Sequence, residues 1–413
     1  LHPIEAFREA VRLLWAHKGR ASLTLFGLVW GTASVIFLMG WGEGVTKMLE
    51  HGFENTGKNL GQVWAGRISE DFTPAVDRRY LWFTLDDLER VRRRARLPVL
   101  VAGENQEFMP VAYRQRAMNL DVRGVEPQGL AIRGVPIESG RGITVSDLKH
   151  RRRVVLLGHD TRRKLLGSQG EVGSWVRVAG TPFQVVGVLA RVGSQLGRDG
   201  DEIDDQLWMP LSTFQTHYPR WWTDDAWVEK VIYRMPDRHL LDETEQEVRA
   251  ILAEGLGVSP TDEEAVRAWS PVKMLRDLPL DQMRGLMFVL AVATLVIGGI
   301  GTLNMMLDSV YERRQEIGVR MALGARSRDV LFQFFLETFT VVALGGLLGV
   351  ALGTAACGVL GSLEVPDLVP VPEVHGRIVA IAIGVLSAVG VLAGVVPAWR
   401  ASRVDPAVTL RMD

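Results

Sequence analysis

The chain has 413 residues, room for two or three domains, and 47% of them are hydrophobic, with a mean hydropathy of +0.11 that is high for a wholly soluble protein. A formal net charge of −1 leaves no basic footprint for nucleic acid, which is not expected as a partner. Cys357 is the single cysteine, so an intrachain disulfide framework, a zinc cluster and a redox pair are excluded.

Residues 1–21 carry Arg8, Arg12, Lys18 and Arg20, with Ile4, Phe7, Val11, Leu14 and Trp15 at helical spacing. This pattern predicts an amphipathic helix lying on the cytoplasmic membrane face. The run from Ser22 to Trp41 has no charge, and about 20 residues rising about 1.5 Å each cross a hydrocarbon core of about 30 Å. Residues 22–42 are therefore the first predicted span. A signal peptide is the rival reading, but the apolar core is too long and no clean small-x-small cleavage site follows.

Residues 43–284 hold no apolar run of spanning length and are predicted to form a large water-exposed α+β domain. Thr84 is placed to cap a helix with Asp86 and Asp87 in its first turn and Leu88 and Val91 on one side. The arginines that follow, Arg90, Arg92, Arg93, Arg94 and Arg96, read as a solvated face matched to the helix dipole. Val176 to Val178 and Phe183 to Leu189 flank Ala179-Gly180-Thr181-Pro182 as a hairpin. Further strands are expected at Val154 to Leu157, Leu207 to Met209 and Val228 to Tyr233, and a helix at Glu243 to Leu252. Strands alternating with helices around the glycine-rich hairpin suggest two subdomains, one inserted in the other. Ser270-Pro271 is a helix start, and a helix from there, kinked at Pro279, is expected to run on into the next span.

The second span is 285–308, with Gly298, Gly299 and Gly301 for close helix packing and Asn304 near its end. Residues 309–329 form a charged loop. The third span is 330–361, where Gly345, Gly349 and Gly353 keep small-xxx-small spacing. Glu337 is an intramembrane carboxylate about 12 Å along the helix from Asp329, costly unless paired or interfacial, so an interhelical structural role outweighs an ion or substrate site. A short proline-rich link, 362–377, precedes the fourth span, 378–397, and a tail, 398–413. Basic residues gather before span one, in the middle loop (Arg313, Arg314, Arg320, Arg326, Arg328) and after span four (Arg400, Arg403, Arg411). The last link has Arg377 against Glu364, Asp367 and Glu373. By the positive-inside rule both termini and the middle loop are cytoplasmic and the large domain lies outside.

The sequence contains no GxxxxGK[ST], HExxH, GxSxG or CxxC, so neither nucleotide hydrolysis on a phosphate loop nor another familiar catalytic constellation is expected on this chain. Asp199, Asp201, Glu202, Asp204 and Asp205 lack EF-hand order and read as a solvated loop. The histidines are scattered. Trp221, Trp222 and Trp227 are core or contact surface, with core preferred.

The loop from Tyr311 to Asp329 is the candidate functional element. Glu316 and Arg320 lie one helical turn apart in the favourable order, Gly324-Ala325 offers a stop, and a second helix capped by Ser327 follows. The plain alternative for each residue is that it only ends or caps a helix.

The stretch ERRQEIGVRMALGA, Glu312 to Ala325, resembles the signature of FtsX-like ABC-transporter permeases, and GGIGTLNMMLDSV before it resembles the MacB branch. HKGRASLTLFGLVWGTASV, GRGITVSDL, VAGTPFQVVGVL, DDQLWMPLSTF and PAWRASRVDPAVTLR are similar to that branch in the same order. The resemblance implies four transmembrane helices and a periplasmic domain of porter-like and inserted sabre-like subdomains, in the bacterial inner membrane. It also implies a non-catalytic subunit, paired with a second copy or paralogue, that couples a cytoplasmic ABC ATPase to periplasmic movement. On that resemblance Glu312, Arg313, Glu316, Ile317, Gly318, Arg320, Ala322, Gly324 and Ala325 meet the ATPase. MacB itself carries its ATPase at its own N-terminus, whereas here the first span begins near residue 22, so ATP and Mg are expected on a separate partner chain. The expected job is export of periplasmic substrate through an adaptor and an outer-membrane channel. The alternative is an FtsX-like or lipoprotein-release-like subunit that activates or unloads a periplasmic partner.

Overall fold

The computed structural model describes residues 18–69, 80–167, 171–196, 202–220, 226–363, 365–366 and 369–403. The amphipathic stretch up to His17, and Asp199, Asp201, Trp221, Trp222, Glu364, Asp367 and Arg411, lie outside these residues. Contacts divide the chain into two compact units, Leu49–Leu278 and the combination of Leu1–Met48 with Pro279–Asp413.

The outer unit is built on one mixed sheet of strands β1 (Leu60–Ala65), β3 (Leu100–Tyr113), β4 (Arg116–Val125), β5 (Ile137–Gly140), β6 (Val154–Leu157), β7 (Trp175–Val178), β8 (Thr181–Leu189), β9 (Leu207–Pro210), β11 (Lys230–Arg234) and β12 (Val266–Trp269). Its order is β12-β1-β11-β3-β4-β9-β6-β8-β5, with β7 against β3 and β8, while β2 (Phe83–Thr84) and β10 (Trp227–Val228) pair separately. The half of the sheet from β4 to β5 comes from chain inserted between β3 and β10. The long β3 belongs to both halves, pairing β11 at Leu100 to Glu104 and β4 through to Tyr113.

Local rules set most of the elements. Thr84 and Asp87 exchange bonds in a capping box that starts α2 (Leu85–Arg94), leaving Leu88 and Val91 to pack with Val248, Ile251 and Leu252 of α6 (Leu241–Leu256). The hairpin turns on Ala179 (φ 43°) and Gly180 (φ 86°), a two-residue loop in the left-handed region that matches strand twist, so β8 starts at Thr181, earlier than expected. The single strand expected at Val228 to Tyr233 is broken at Glu229, whose carboxylate accepts from Gln106 N–H. The arginines of α2 are not a wholly solvated face. Arg92 donates to the Val101 carbonyl and pairs with Glu126, and Arg94 pairs with Glu254. The helix α7 (Pro271–Asp277) starts on Ser270, whose hydroxyl accepts from Val272 N–H. It does not run on. Leu278 is extended (φ −70°, ψ 135°), the conformation a following proline imposes.

The membrane unit holds α1 (Lys18–Glu54) up to Met48, α8 (Leu280–Glu312), α9 (Arg314–Ala322), α10 (Ser327–Gly361) and α11 (Gly376–Ala401). Helices α1, α8, α10 and α11 are each long and apolar enough to cross a membrane. Their contact is made where side chains are missing, since in lipid close packing replaces the hydrophobic drive between helices. A Cβ on Gly298 would sit 2.6 Å from the Gly27 carbonyl, and one on Gly349 would sit 2.6 Å from Thr32 Cβ. Gly345 meets Leu28, Gly353 meets Ala33 and Ile36, and Gly299 meets Val389, whereas Gly301 meets nothing within 4 Å among the described residues. Gly27, Gly31, Gly346 and Gly390 make approaches of the same kind. Gly40 and Gly44 of α1 receive extended chain instead of a helix. The proline-rich link crosses there, Glu373 N–H donating to the Gly40 carbonyl at 2.9 Å, Val371 lying against Gly44 and Glu373 pairing with Lys47.

Candidate functional site

Helix α9 is the short charged helix between the second and third spans. Glu316 stands in its first turn and Arg320 in its last, the arrangement the helix dipole favours. It ends in a full Schellman closure: Gly324 N–H donates to the Met321 carbonyl and Ala325 N–H to the Arg320 carbonyl, each at 3.1 Å. Gly324 has φ +101°, a region side chains rarely adopt, so glycine is required at this stop. The next helix is capped at Arg326, not at Ser327. Asp329 accepts from Arg326 N–H at 3.3 Å, and Ser327 is already the first helical residue.

One side of α9 is buried. Ile317 and Gly318 are covered, Ile317 packing with Val310, Val330, Phe334, Ala398 and Ala401. Glu312, Ala322 and Gly324 are exposed and Ala325 half-buried. Beside them Val319 and Leu323 present apolar side chains to the outside, Leu323 at 84% exposure.

Polar side chains close a ring between α9 and α10. Arg313 Nε donates to Glu316 at 3.1 Å, Arg320 Nη2 meets the other Glu316 oxygen at 2.6 Å, and Arg320 Nη1 donates to Gln333 Oε1 at 3.2 Å. Gln333 Nε2 donates to Glu337 at 3.3 Å, and Arg313 Nη1 returns to both Glu337 oxygens at 3.3 and 3.4 Å. Exposure falls across the ring from 45% at Glu316 through 18% at Arg313 to 0% at Glu337. An unpaired carboxylate in a span costs about 2.5–3.5 kcal/mol or more. Glu337 is therefore held by its partners. Burial works to raise the Glu316 carboxyl, but the hydrogen bond and charge of Arg313, with Arg320, keep it below the usual carboxylate range. Burial likewise opposes the Arg313 charge, and Glu316 and Glu337 overcome it and raise its pKa.

The sequence linked Glu316 to Arg320, and Glu337 to an interhelical role with no named partner. Gln333 was missed, although Gln333 and Glu337 are four residues apart on one helix face. Asn304 is exposed on α8 and takes no part in the ring.

A second charged cluster lies in the outer unit. Arg123 on β4 donates to Asp121 at 2.9 Å and Glu104 at 2.7 Å, and Arg133, ending the helix α3 (Pro127–Arg133), donates to both Glu104 oxygens at 3.0 Å. The side chains of Glu104, Asp121 and Arg123 are fully buried. Burial raises the Asp121 carboxyl despite Arg123, and its Oδ1 has no hydrogen-bond partner among the described residues. Among those residues no group of three or more His, Cys, Asp or Glu is placed to hold a metal. Of the acidic loop, Asp204 accepts from Val192 and Gly193 N–H and Asp205 pairs with Lys164, which are structural tasks. Trp227 is buried.

Comparison with known proteins gives two family matches, residues 21–251 to the MacB-like periplasmic core domain and residues 288–406 to the FtsX-like permease C-terminal domain. The chain is 33% identical to the macrolide export ATP-binding/permease protein MacB of Azoarcus sp. (strain BH72), over 98% of this chain and 59% of that protein. It is 31% identical to the protein of the same name from Chromobacterium violaceum, over 97% of this chain and 60% of that one. It thus spans about 60% of the length of these curated relatives. Among solved structures, the periplasmic region of MacB from Actinobacillus actinomycetemcomitans aligns at 15% identity with a TM-score of 0.43, over 56% of this chain and 96% of that one. The extracellular domain of the transporter YknZ from Gram-positive bacteria aligns at 17% with 0.41, over 51% of this chain and 100% of that one.

Proposed function

The chain belongs to the family of FtsX-like ABC-transporter permeases with a MacB-like periplasmic core domain, and on that premise we propose that α9 couples a cytoplasmic ATPase to movement of the periplasmic domain. The protein is a multi-pass protein of the bacterial inner membrane with its large domain in the periplasm. In this reading ATP and Mg are bound and turned over on a partner chain, and this chain is non-catalytic. Two permeases, identical or paralogous, work together, and the movement drives a periplasmic substrate through an adaptor and an outer-membrane channel. The observation that carries the reading is α9 itself, a short helix with Val319 and Leu323 exposed, seated on its own chain through Ile317 and held there by the polar ring that flanks the exposed pair. A helix presented in this way has the form of a docking knob, with an apolar centre at Val319 and Leu323 and half-exposed charges at Glu316 and Arg320 beside it.

Two experiments test it. Mild crosslinking in native membranes followed by mass spectrometry is expected to recover an ATPase with an adaptor. Recovery of an ATPase with a periplasmic enzyme or carrier instead would remove the export step, and recovery of no ATPase would overturn the coupling. Leu323→Glu changes an exposed group, so it is expected to leave insertion intact while abolishing stimulation of the partner's ATPase. Glu316→Lys is expected to uncouple the ATPase as well, but it opens the ring at the same time, so Leu323→Glu is the sharper test of docking.

A further inference from the structure

We infer that Glu337 and Gln333 are positioning residues that clamp α9 to α10, so that a push on the short helix reaches the third span directly and the link at Gly324 does not act as a hinge. The functional half of this inference rests on the coupling reading above. The mechanical half does not.

A helix joined to its neighbour through a glycine at positive φ would ordinarily be free to swing, because glycine has many backbone states open to it. Here the swing is blocked from both sides of the link. Arg320, at the end of α9 next to Gly324, reaches Gln333 on α10. Arg313, just before α9, reaches Glu337 one turn further along the same face of α10. The short helix is therefore held at both ends by side chains of a single partner helix, and Glu316 ties the two arginines to each other.

The placement of the charges gives the clamp its stiffness. Glu337 is fully buried, in a span where water is not available to replace a lost partner. Any displacement that draws Arg313 away takes its positive charge from beside the buried carboxylate, so the clamp resists opening most strongly at its deepest point. At the outer rim Glu316 and Arg320 are half exposed and water can substitute for either. The ring thus has a fixed end within the third span and a softer end at the surface, as expected of a lever whose load is passed inwards.

The test uses the full chain in lipid nanodiscs with no ATPase present. Spin labels are placed at Val319→Cys on α9 and Phe332→Cys on α10, both exposed, in a Cys357→Ala background. Double electron–electron resonance is expected to give one narrow distance distribution. Glu337→Gln and Arg313→Gln are each expected to broaden it and shift population to longer distances, Gln333→Leu to broaden it less, and Arg313→Lys, which keeps the charge, to stay close to the parent. A distribution unchanged by both Glu337→Gln and Arg313→Gln would overturn the clamp, as would broadening equally large in Arg313→Lys. Circular dichroism and retention of the labelled pair in the nanodisc fraction identify a variant that has failed to fold, and for such a variant Gln333→Leu carries the test. Because no partner is present, failure here leaves the coupling reading standing, and failure to capture an ATPase leaves the clamp standing.

Discussion

Two charged clusters of similar composition sit in this chain, and they differ in how far water can reach them. In the outer unit Glu104, Asp121 and Arg123 are sealed between strands and α3, every member removed from solvent. In the membrane unit the ring grades from a buried Glu337 to a half-exposed Glu316. A sealed ion cluster loses heavily when one member is removed, because water cannot take the place of the lost charge. A graded one loosens from its wet end while its dry end stays fixed. The first arrangement suits a rigid core and the second a joint.

The comparison is broken most directly at Arg123. Arg123→Met takes the arginine from Asp121 and leaves Glu104 to Arg133, and is expected to cost about 3–5 kcal/mol of unfolding stability, read as a lowered thermal midpoint of the intact protein in detergent by intrinsic tryptophan fluorescence. A loss below 1 kcal/mol on the same assay would mean that the cluster adds nothing to the core. Glu337→Gln keeps the shape and removes the charge-assisted bonds to Arg313. Its expected cost is about 1.5–3 kcal/mol, with coupling to the ATPase lost well before the fold is. If unfolding and uncoupling went together, the joint would be no different in kind from the sealed cluster. Glu316→Lys should cost no more than about 1 kcal/mol, since exposed ion pairs contribute little, and yet abolish ATPase stimulation in the reconstituted complex.

Acidification is the mildest probe and should act on the two clusters with opposite sign. The Glu316 carboxyl is held below its ordinary range, so the stability it contributes is complete above that range and is lost as pH falls through it. Asp121 is raised, so the penalty of its ionised form is relieved as pH falls. Hydrogen exchange compared between neutral pH and about pH 4 should show faster opening at α9 and no matching loss at β4, after correction for intrinsic exchange rates.

What was legible beforehand divides along the range of the interactions. The spans, the capping box at Thr84, the hairpin at Ala179-Gly180 and the pairing of Glu316 with Arg320 depend on residues a few positions apart, and sequence spacing carries them. Arg313 with Glu337, and Arg123 with Glu104, join different helices or strands, and spacing alone does not identify such partners. One signal was available. Asp121 and Arg123 are two apart on a single strand and so share a face, and a carboxylate and an arginine interleaved with Leu120, Val122 and Val125 mark a buried pair. Ser327 was misplaced because serine is a common cap, while here a backbone N–H bonded to Asp329 does the work. The continuous helix through Pro279 failed for a local reason, the extended conformation forced on Leu278. Of the spacing glycines, Gly301 faces no neighbour among the described residues, since a repeat of small residues tells where a helix can be approached and not by what.

The link that crosses α1 at Gly40 and Gly44 has a consequence for how the protein is made. Lys47 and Glu373 are 326 residues apart, and at about 5–20 residues per second the ribosome needs tens of seconds to supply the second after the first. Throughout that interval the notch at Gly40 and Gly44 of the first span stays unfilled. Only when the last span begins to emerge does the strand that fills it arrive. A chain cut short before Val371 would leave that notch empty for good, a defect at the opposite end of the sequence that quality-control proteases could recognise on the first helix.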